Sequence, residues 1–161
     1  MERLRDAWFW LVGRIGASGL VRRLHRLLYR RLGGAGILGR SLGNLSIVLI
    51  TVGRRSGETR EAPLWAYPDG ERLVVVGTNG GKEAVPAWVL NLRTRPEAQV
   101  RLLRALRPVG AYEASGEEWD RLWALVVAAY PGYAAYRRWI HRPVPLVVLT
   151  ATDGKPLVVA E

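Results

Sequence analysis

The spacing of apolar and polar residues changes character along the chain. In residues 1–32, Leu20, Leu24, Leu27, Leu28 and Leu32 recur at helical intervals, and Arg22, Arg23, Arg26 and Arg30 fill positions between them. That stripe predicts an amphipathic helix with a basic face. Gly33-Gly34-Ala35-Gly36 ends it, and the glycine-rich stretch up to Gly43 reads as a connection. From Asn44 onward the pattern is that of strands. Residues 45–52 are dominated by β-branched and apolar side chains, a Gly-containing turn follows, and residues 58–67 form a less regular partner. Pro68-Asp69-Gly70 turns the chain again into Leu73-Val74-Val75-Val76, so three antiparallel strands follow one another as a meander.

Beyond this, residues 86–93 carry Trp88, Val89 and Leu92 at helical spacing behind Pro86, and residues 98–103 and 109–114 return to strand character. Ser115-Gly116-Glu117-Glu118 has the form of a capping box ahead of Trp119, Leu122, Trp123, Val126 and Val127, predicting a helix to about Tyr130. Pro131 opens a second short helix to about Ile140. Leu146-Val147-Val148-Leu149 reads as a buried strand, and Asp153-Gly154 turns the chain into a last apolar run, Leu157-Val158-Val159. The expected architecture is α+β: a basic N-terminal helix over residues 1–32, then a mostly antiparallel sheet of at least five strands over residues 44–161, able to close as a small barrel, with two C-terminal helices.

Composition narrows what this fold can do. The 24 Lys+Arg against 14 Asp+Glu give a net charge of +10, which calls for an anionic partner: a phosphate or carboxylate ligand, an acidic membrane surface, or nucleic acid. With no cysteine and two histidines, a disulfide framework and a thiolate nucleophile are excluded and no metal site is expected. Chemistry must then come from a bound cofactor or be absent. The apolar stretch of residues 7–12 ends far short of the roughly 20 residues that span a bilayer, and it is a poor secretion signal, so a cytoplasmic protein is expected.

Four features could carry that chemistry. Gly53-Arg54-Arg55-Ser56-Gly57, with Arg60 after it, gathers guanidinium forks, a hydroxyl and flexible backbone at one turn, which suits a phosphate but also describes an ordinary solvated hairpin. Thr78-Asn79-Gly80-Gly81 could cradle a second polar part of a ligand, or be a plain turn. Pro63, Trp65, Trp88 and Asn91 lie next to these two turns in sequence, where a flat ring could stack on a cofactor or simply fill the core. Tyr130, Tyr133 and Tyr136 recur every third residue and could wall a pocket with phenols, or pack half-buried. His25 and His141 sit among arginines and are read as solvated.

Taken in order, Tyr29-Arg30-Arg31, the arginine turn after Leu49-Ile50-Thr51-Val52, Ala62-Pro63-Leu64-Trp65, Val76-Gly77-Thr78-Asn79-Gly80-Gly81, Pro86-Ala87-Trp88, Asn91-Leu92, Ala129-Tyr130-Pro131-Gly132-Tyr133, Tyr136 and Pro145-Leu146-Val147-Val148-Leu149 resemble the deazaflavin-dependent nitroreductases and quinone reductases. The resemblance implies a split β-barrel of the kind that also binds flavin mononucleotide (FMN). It implies an enzyme that uses reduced coenzyme F420 to transfer a hydride to quinones, nitro-aromatics or other electron-poor acceptors, with FMN as the alternative cofactor. By the same resemblance Arg54, Arg55, Ser56 and Arg60 hold the cofactor's phosphate and acidic tail. Pro63, Thr78, Asn79, Gly80, Gly81, Trp88 and Asn91 surround the deazaflavin, and Trp65, Tyr130, Tyr133 and Tyr136 line the acceptor side, with Thr78 and the three tyrosines as the catalytic candidates. Two positions depart from the family pattern: Thr78-Asn79 replaces a Ser-Lys pair, and Trp65 stands where Tyr is common. A quinone acceptor makes peripheral contact of the basic helix with an anionic membrane a natural expectation. A non-catalytic nucleic-acid module is the other class of reading; the arginines cluster in one helix and one turn instead of interleaving with aromatics, so no nucleic-acid partner is expected.

Overall fold

The computed structural model describes residues 40, 41 and 44–158; the basic helix of residues 1–32 and Val159 lie outside the described residues. Among these residues seven strands form one antiparallel sheet: β1 (Arg40–Ser41), β2 (Asn44–Val52), β3 (Thr59–Asp69), β4 (Arg72–Val76), β5 (Glu97–Leu102), β6 (Ala105–Glu113) and β7 (Leu146–Ala151). The order is β1-β2-β3-β4-β7-β6-β5, and β2 also pairs with β5, so six strands close into a barrel. Helix α1 (Ala87–Thr94) lies between β4 and β5, and α2 (Gly116–Ala129) and α3 (Gly132–Arg137) lie between β6 and β7.

Strand parity divides the apolar residues into two layers. Ile47, Leu49, Ala66, Leu73, Val75, Val100, Val109, Val147 and Leu149 form one cluster, which Trp88, Val89 and Leu92 of α1 join. Tyr67, Val74, Val76, Leu146 and Val148 lie on the opposite face and pack against Leu122 and Val126 of α2, then Tyr133 and Tyr136 of α3. Burying Leu122 and Val126 fully contributes about 1.5–3 kcal/mol per side chain. Because β4 and β7 are covered on both faces, their sequences read as unbroken apolar runs with no alternation.

The structure corrects three local expectations. Ser115 is the N-cap of α2 but makes no side-chain capping bond. Glu118, expected to complete the box, instead accepts hydrogen bonds from Arg72 at 3.2 Å and from the Tyr112 hydroxyl at 2.9 Å. A charged partner on the neighbouring strand outcompetes the helix's own N-terminus. Asp69 completes this network by pairing with Arg72 and with both terminal nitrogens of Arg121, and the Arg121 hydrogen bonds, with Arg72, draw its carboxyl down to about 2. Helix α3 stops at Arg137, short of Ile140. Finally, Leu157 and Val158 sit in a bend and not in a strand, held where Leu157 donates its N–H to Glu71 O at 3.1 Å and buries its side chain in the barrel cluster.

Candidate active site

The turn between β2 and β3 is closed by its own backbone: Gly53 N–H donates to Glu58 O and Gly57 N–H to Gly53 O, both at 2.8 Å. Gly57 takes φ +69°, and a side chain at Gly53 would collide with Ser56 Oγ at 2.9 Å, so both glycines are needed for this shape. Arg60 donates to Glu58 at 2.7 Å and to Ser56 Oγ at 3.2 Å, which ties two of the expected phosphate ligands into the turn itself. Arg54 and Arg55 are exposed, and neither guanidinium has a carboxylate partner among the described residues. The turn is therefore a hydrogen-bonded loop presenting two guanidinium groups without a carboxylate partner among the described residues.

Asn91 explains how the turn is held to the barrel. Buried in α1, it accepts a hydrogen bond from Arg54 N–H at 3.1 Å through Oδ1 and donates Nδ2 to Thr51 Oγ1 at 3.0 Å. Both ends of its amide are engaged by protein. Trp88, one turn earlier, is 8% exposed and packs into the barrel cluster, so its ring serves the core while Asn91 fixes the turn.

The glycine loop after β4 lies at the same end of the barrel. The register pairs Ala66 with Val75, so the chain leaving β4 runs back along β3 toward Pro63 and the arginine turn. Asn79, Gly80 and Gly81 follow one another at φ 53°, 63° and 78°. The non-glycine member of this left-handed run, Asn79, is secured by a bond from its Nδ2 to Ala84 O at 3.0 Å. Thr78 is 5% exposed, yet its hydroxyl has no hydrogen-bond partner among the described residues, and the backbone N–H groups of Asn79 and Gly80 have none either. An accessible hydroxyl on an otherwise buried threonine, beside two N–H groups without acceptors among the described residues, is an arrangement that a ligand oxygen or ring nitrogen would satisfy.

The aromatic wall stands over the outer face of β3. Trp65 and Tyr130 meet edge to face at 5.1 Å between centroids, Tyr130 and Tyr133 at 5.2 Å, and Tyr133 and Tyr136 at 6.3 Å. The wall touches the glycine loop, since a methyl group built on Gly81 would lie 3.6 Å from the Tyr136 ring. Tyr67 is a further member, absent from the sequence-based set. Its hydroxyl shares a buried hydrogen bond with Tyr133 at 3.1 Å, and it stands two residues after Trp65 on the same strand face. That period-2 relation was available in the sequence. Burial pushes the Tyr67 phenol up to about 12 and raises those of Tyr133 and Tyr136 as well, so all three are neutral hydrogen-bond donors at physiological pH. His141 is 89% exposed as expected, but its Nδ1 lies 2.7 Å from Glu83.

The structure thus brings Arg54, Arg55, Ser56, Thr78, Asn79, Gly80 and Gly81 to one barrel end, with Trp65, Tyr130, Tyr133 and Tyr136 beside it. Pro63 sits on β3 between the turn and Trp65, opposite Val48. Comparison with known proteins identifies the family and the fold. Residues 21–151 match the family model described as F420H(2)-dependent quinone reductase. An F420H(2)-dependent quinone reductase of Mycobacterium tuberculosis is 30% identical over 149 residues, covering 88% of this chain and 95% of its own. A solved F420-H2 dependent reductase superposes with TM-score 0.60 at 30% identity, over 65% of this chain and 92% of its own. A structure described as a domain-swapped dimer gives TM-score 0.63 at 29% identity, over 79% and 93% respectively.

Proposed function

The chain belongs to the F420H(2)-dependent quinone reductase family, and from that premise we propose a division of labour in its site: the arginine turn and glycine loop hold the cofactor, and the aromatic wall receives the acceptor. The protein is an F420-dependent reductase with a split-barrel fold. When bound and reduced, F420 supplies a hydride to the acceptor. The residues present fit such a group. Arg54 and Arg55 offer bidentate forks to the phosphate and acidic tail, and the unengaged Thr78 hydroxyl with the Asn79 and Gly80 N–H groups suits the oxygen-rich edge of a ring.

The acceptor is a quinone, and we extend the class to nitro-aromatic and other electron-poor molecules. The support is chemical: neutral phenols and a Thr hydroxyl donate hydrogen bonds to an oxygen as negative charge gathers on it, whether that oxygen belongs to a carbonyl or a nitro group. The wall of Trp65, Tyr130, Tyr133 and Tyr136 also excludes water from the same side. Ser56 and Arg60 act by shaping the turn, and Asn91 by anchoring it.

The observation that carries this reading is the placing, at one barrel end, of two guanidinium groups, the Thr78 hydroxyl and N–H groups of the glycine loop, all without partners among the described residues. Titration with F420 and, separately, FMN, followed by tryptophan quenching, tests it together with steady-state kinetics on a quinone and a nitroimidazole. Arg55→Ala is expected to weaken F420 binding with little loss of turnover at saturation. Thr78→Ala and Tyr133→Phe are expected to lose turnover more than affinity. Equal losses in both parameters for all three variants would overturn the division.

We also infer that the basic stripe of residues 1–32, with Trp8, Phe9 and Trp10, seats the cytoplasmic enzyme on an anionic membrane where quinones dissolve. No helix among the described residues is long and apolar enough to cross a membrane. Sedimentation with anionic liposomes, before and after removal of residues 1–30, tests this; unchanged lipid binding would exclude it.

A further inference from the structure

Arg142 lies outside the residues that the site reading uses, four residues before β7. Its Nε donates to Glu83 O at 2.6 Å. Its Nη2 donates to Gly77 O at 3.0 Å and Lys82 O at 3.1 Å, with Ala84 O and Thr78 O slightly further at 3.3 and 3.4 Å. Its Nη1 reaches Pro143 O at 3.1 Å. No carboxylate pairs with this guanidinium among the described residues, and desolvation lowers its pKa. The cation is surrounded by carbonyl dipoles, five of them from the segment 77–84.

A trans peptide carries its C=O and the following N–H on opposite sides. Drawing Gly77 O and Thr78 O toward Arg142 therefore turns the N–H groups of Thr78 and Asn79 away from it. Those N–H groups, with that of Gly80, have no acceptor among the described residues, as is also true of Lys82, Glu83 and Ala84 further along the loop, whereas Gly77 and Gly81 N–H are engaged. A second tie fixes the same loop, where Gly77 N–H donates to Pro145 O at 2.8 Å and His141 N–H donates to Glu83 at 2.9 Å.

We propose that Arg142 is a positioning residue for the cofactor: its guanidinium gathers the carbonyls of the glycine loop and thereby aims the Thr78 and Asn79 N–H groups at the bound ring. This rests on the reading of residues 78–81 as a cofactor-binding loop. A lysine could not substitute, because a single ammonium has three donors and no planar fork to serve carbonyls spread over eight residues.

The test compares Arg142→Ala, Arg142→Lys and Arg55→Ala in the full chain. F420 affinity is read by tryptophan quenching, and amide hydrogen exchange is read across residues 77–84. Both Arg142 variants should bind F420 on the order of tenfold more weakly, the loss of one to two charge-assisted hydrogen bonds. Exchange should accelerate in the loop and not in the barrel strands, and millimolar guanidinium should restore affinity to Arg142→Ala. A merely structural role would lower the folded fraction without moving the affinity of the folded remainder, and guanidinium would not rescue it. Should Arg142→Ala fail to fold, Arg142→Lys carries the same comparison. Weakened binding in Arg55→Ala with unchanged binding and loop exchange in the Arg142 variants would overturn the proposal. Unchanged binding in Arg55→Ala as well would instead bring down the site reading on which it rests.

Discussion

Tyr130 owes its place to the absence of a side chain two residues later. A Cβ on Gly132 would fall 2.3 Å from Tyr130 Cε1 and 2.5 Å from Cζ, so the ring occupies space that every other residue type would fill. Gly132→Ala is expected to displace Tyr130 from its contact with Trp65, lowering quinone turnover on the order of tenfold to a hundredfold while F420 affinity is retained. Steady-state kinetics beside a binding titration check this, and a matching loss of affinity would contradict it. The three-residue spacing of Tyr133 and Tyr136 was legible because a helix converts that interval into neighbourhood, whereas Tyr130 joins them from the extended C-cap of α2. Arg142 was illegible for the opposite reason. Its partners are carbonyl oxygens, which leave no trace in a residue pattern, and they are brought to it by a loop some sixty positions away in sequence.

At the scale of elements, α2 is held by charge where its cap was expected to hold it. Asp69, 11% exposed at the side chain, receives Arg121 from α2 and Arg72 from β4, and Arg72 continues to Glu118. The folded carboxyl titrates at about 2 against an ordinary 3.8. A depressed folded pKa contributes stability that is fully present above about pH 4 and is lost as pH falls toward 2. Asp69→Asn is accordingly expected to cost roughly 1–2 kcal/mol at neutral pH, allowing for solvent screening, and to flatten the loss of stability between pH 4 and 2. Urea denaturation across that range is the measurement; parallel acid profiles for the two proteins would contradict it. The meander of β2, β3 and β4 could be read from turn residues and apolar runs. The seating of β7 between β4 and β6 could not, because a strand covered on both faces loses the alternation that would report its neighbours.

For the molecule as a whole, the buried phenols set an alkaline limit. Tyr67 is raised to about 12 from an ordinary 10.0, and Tyr133 and Tyr136 are raised with it. In the unfolded chain these groups ionise near 10, whereas the folded protein retains their protons. The corresponding stability is intact below pH 10 and is lost as pH climbs through 12. Tyrosinate absorbance and circular dichroism, followed together up the alkaline range, are expected to show ionisation of these phenols coinciding with unfolding; their titration near 10 in a protein that remains folded would overturn this.

The insertion of α2 and α3 between β6 and β7 has a consequence for how such enzymes diversify. On the division of labour proposed above, the residues that grip F420 come from the β2–β3 turn and the β4–α1 loop, whereas three of the four residues proposed to face the acceptor come from this one later segment. Change in the second can proceed with little effect on the first except at Tyr136, whose ring lies against Gly81 of the glycine loop. On that reading the fold keeps the part that holds the reductant apart from most of the part that meets the oxidant, so a change of acceptor calls mainly for substitutions within a single stretch of chain.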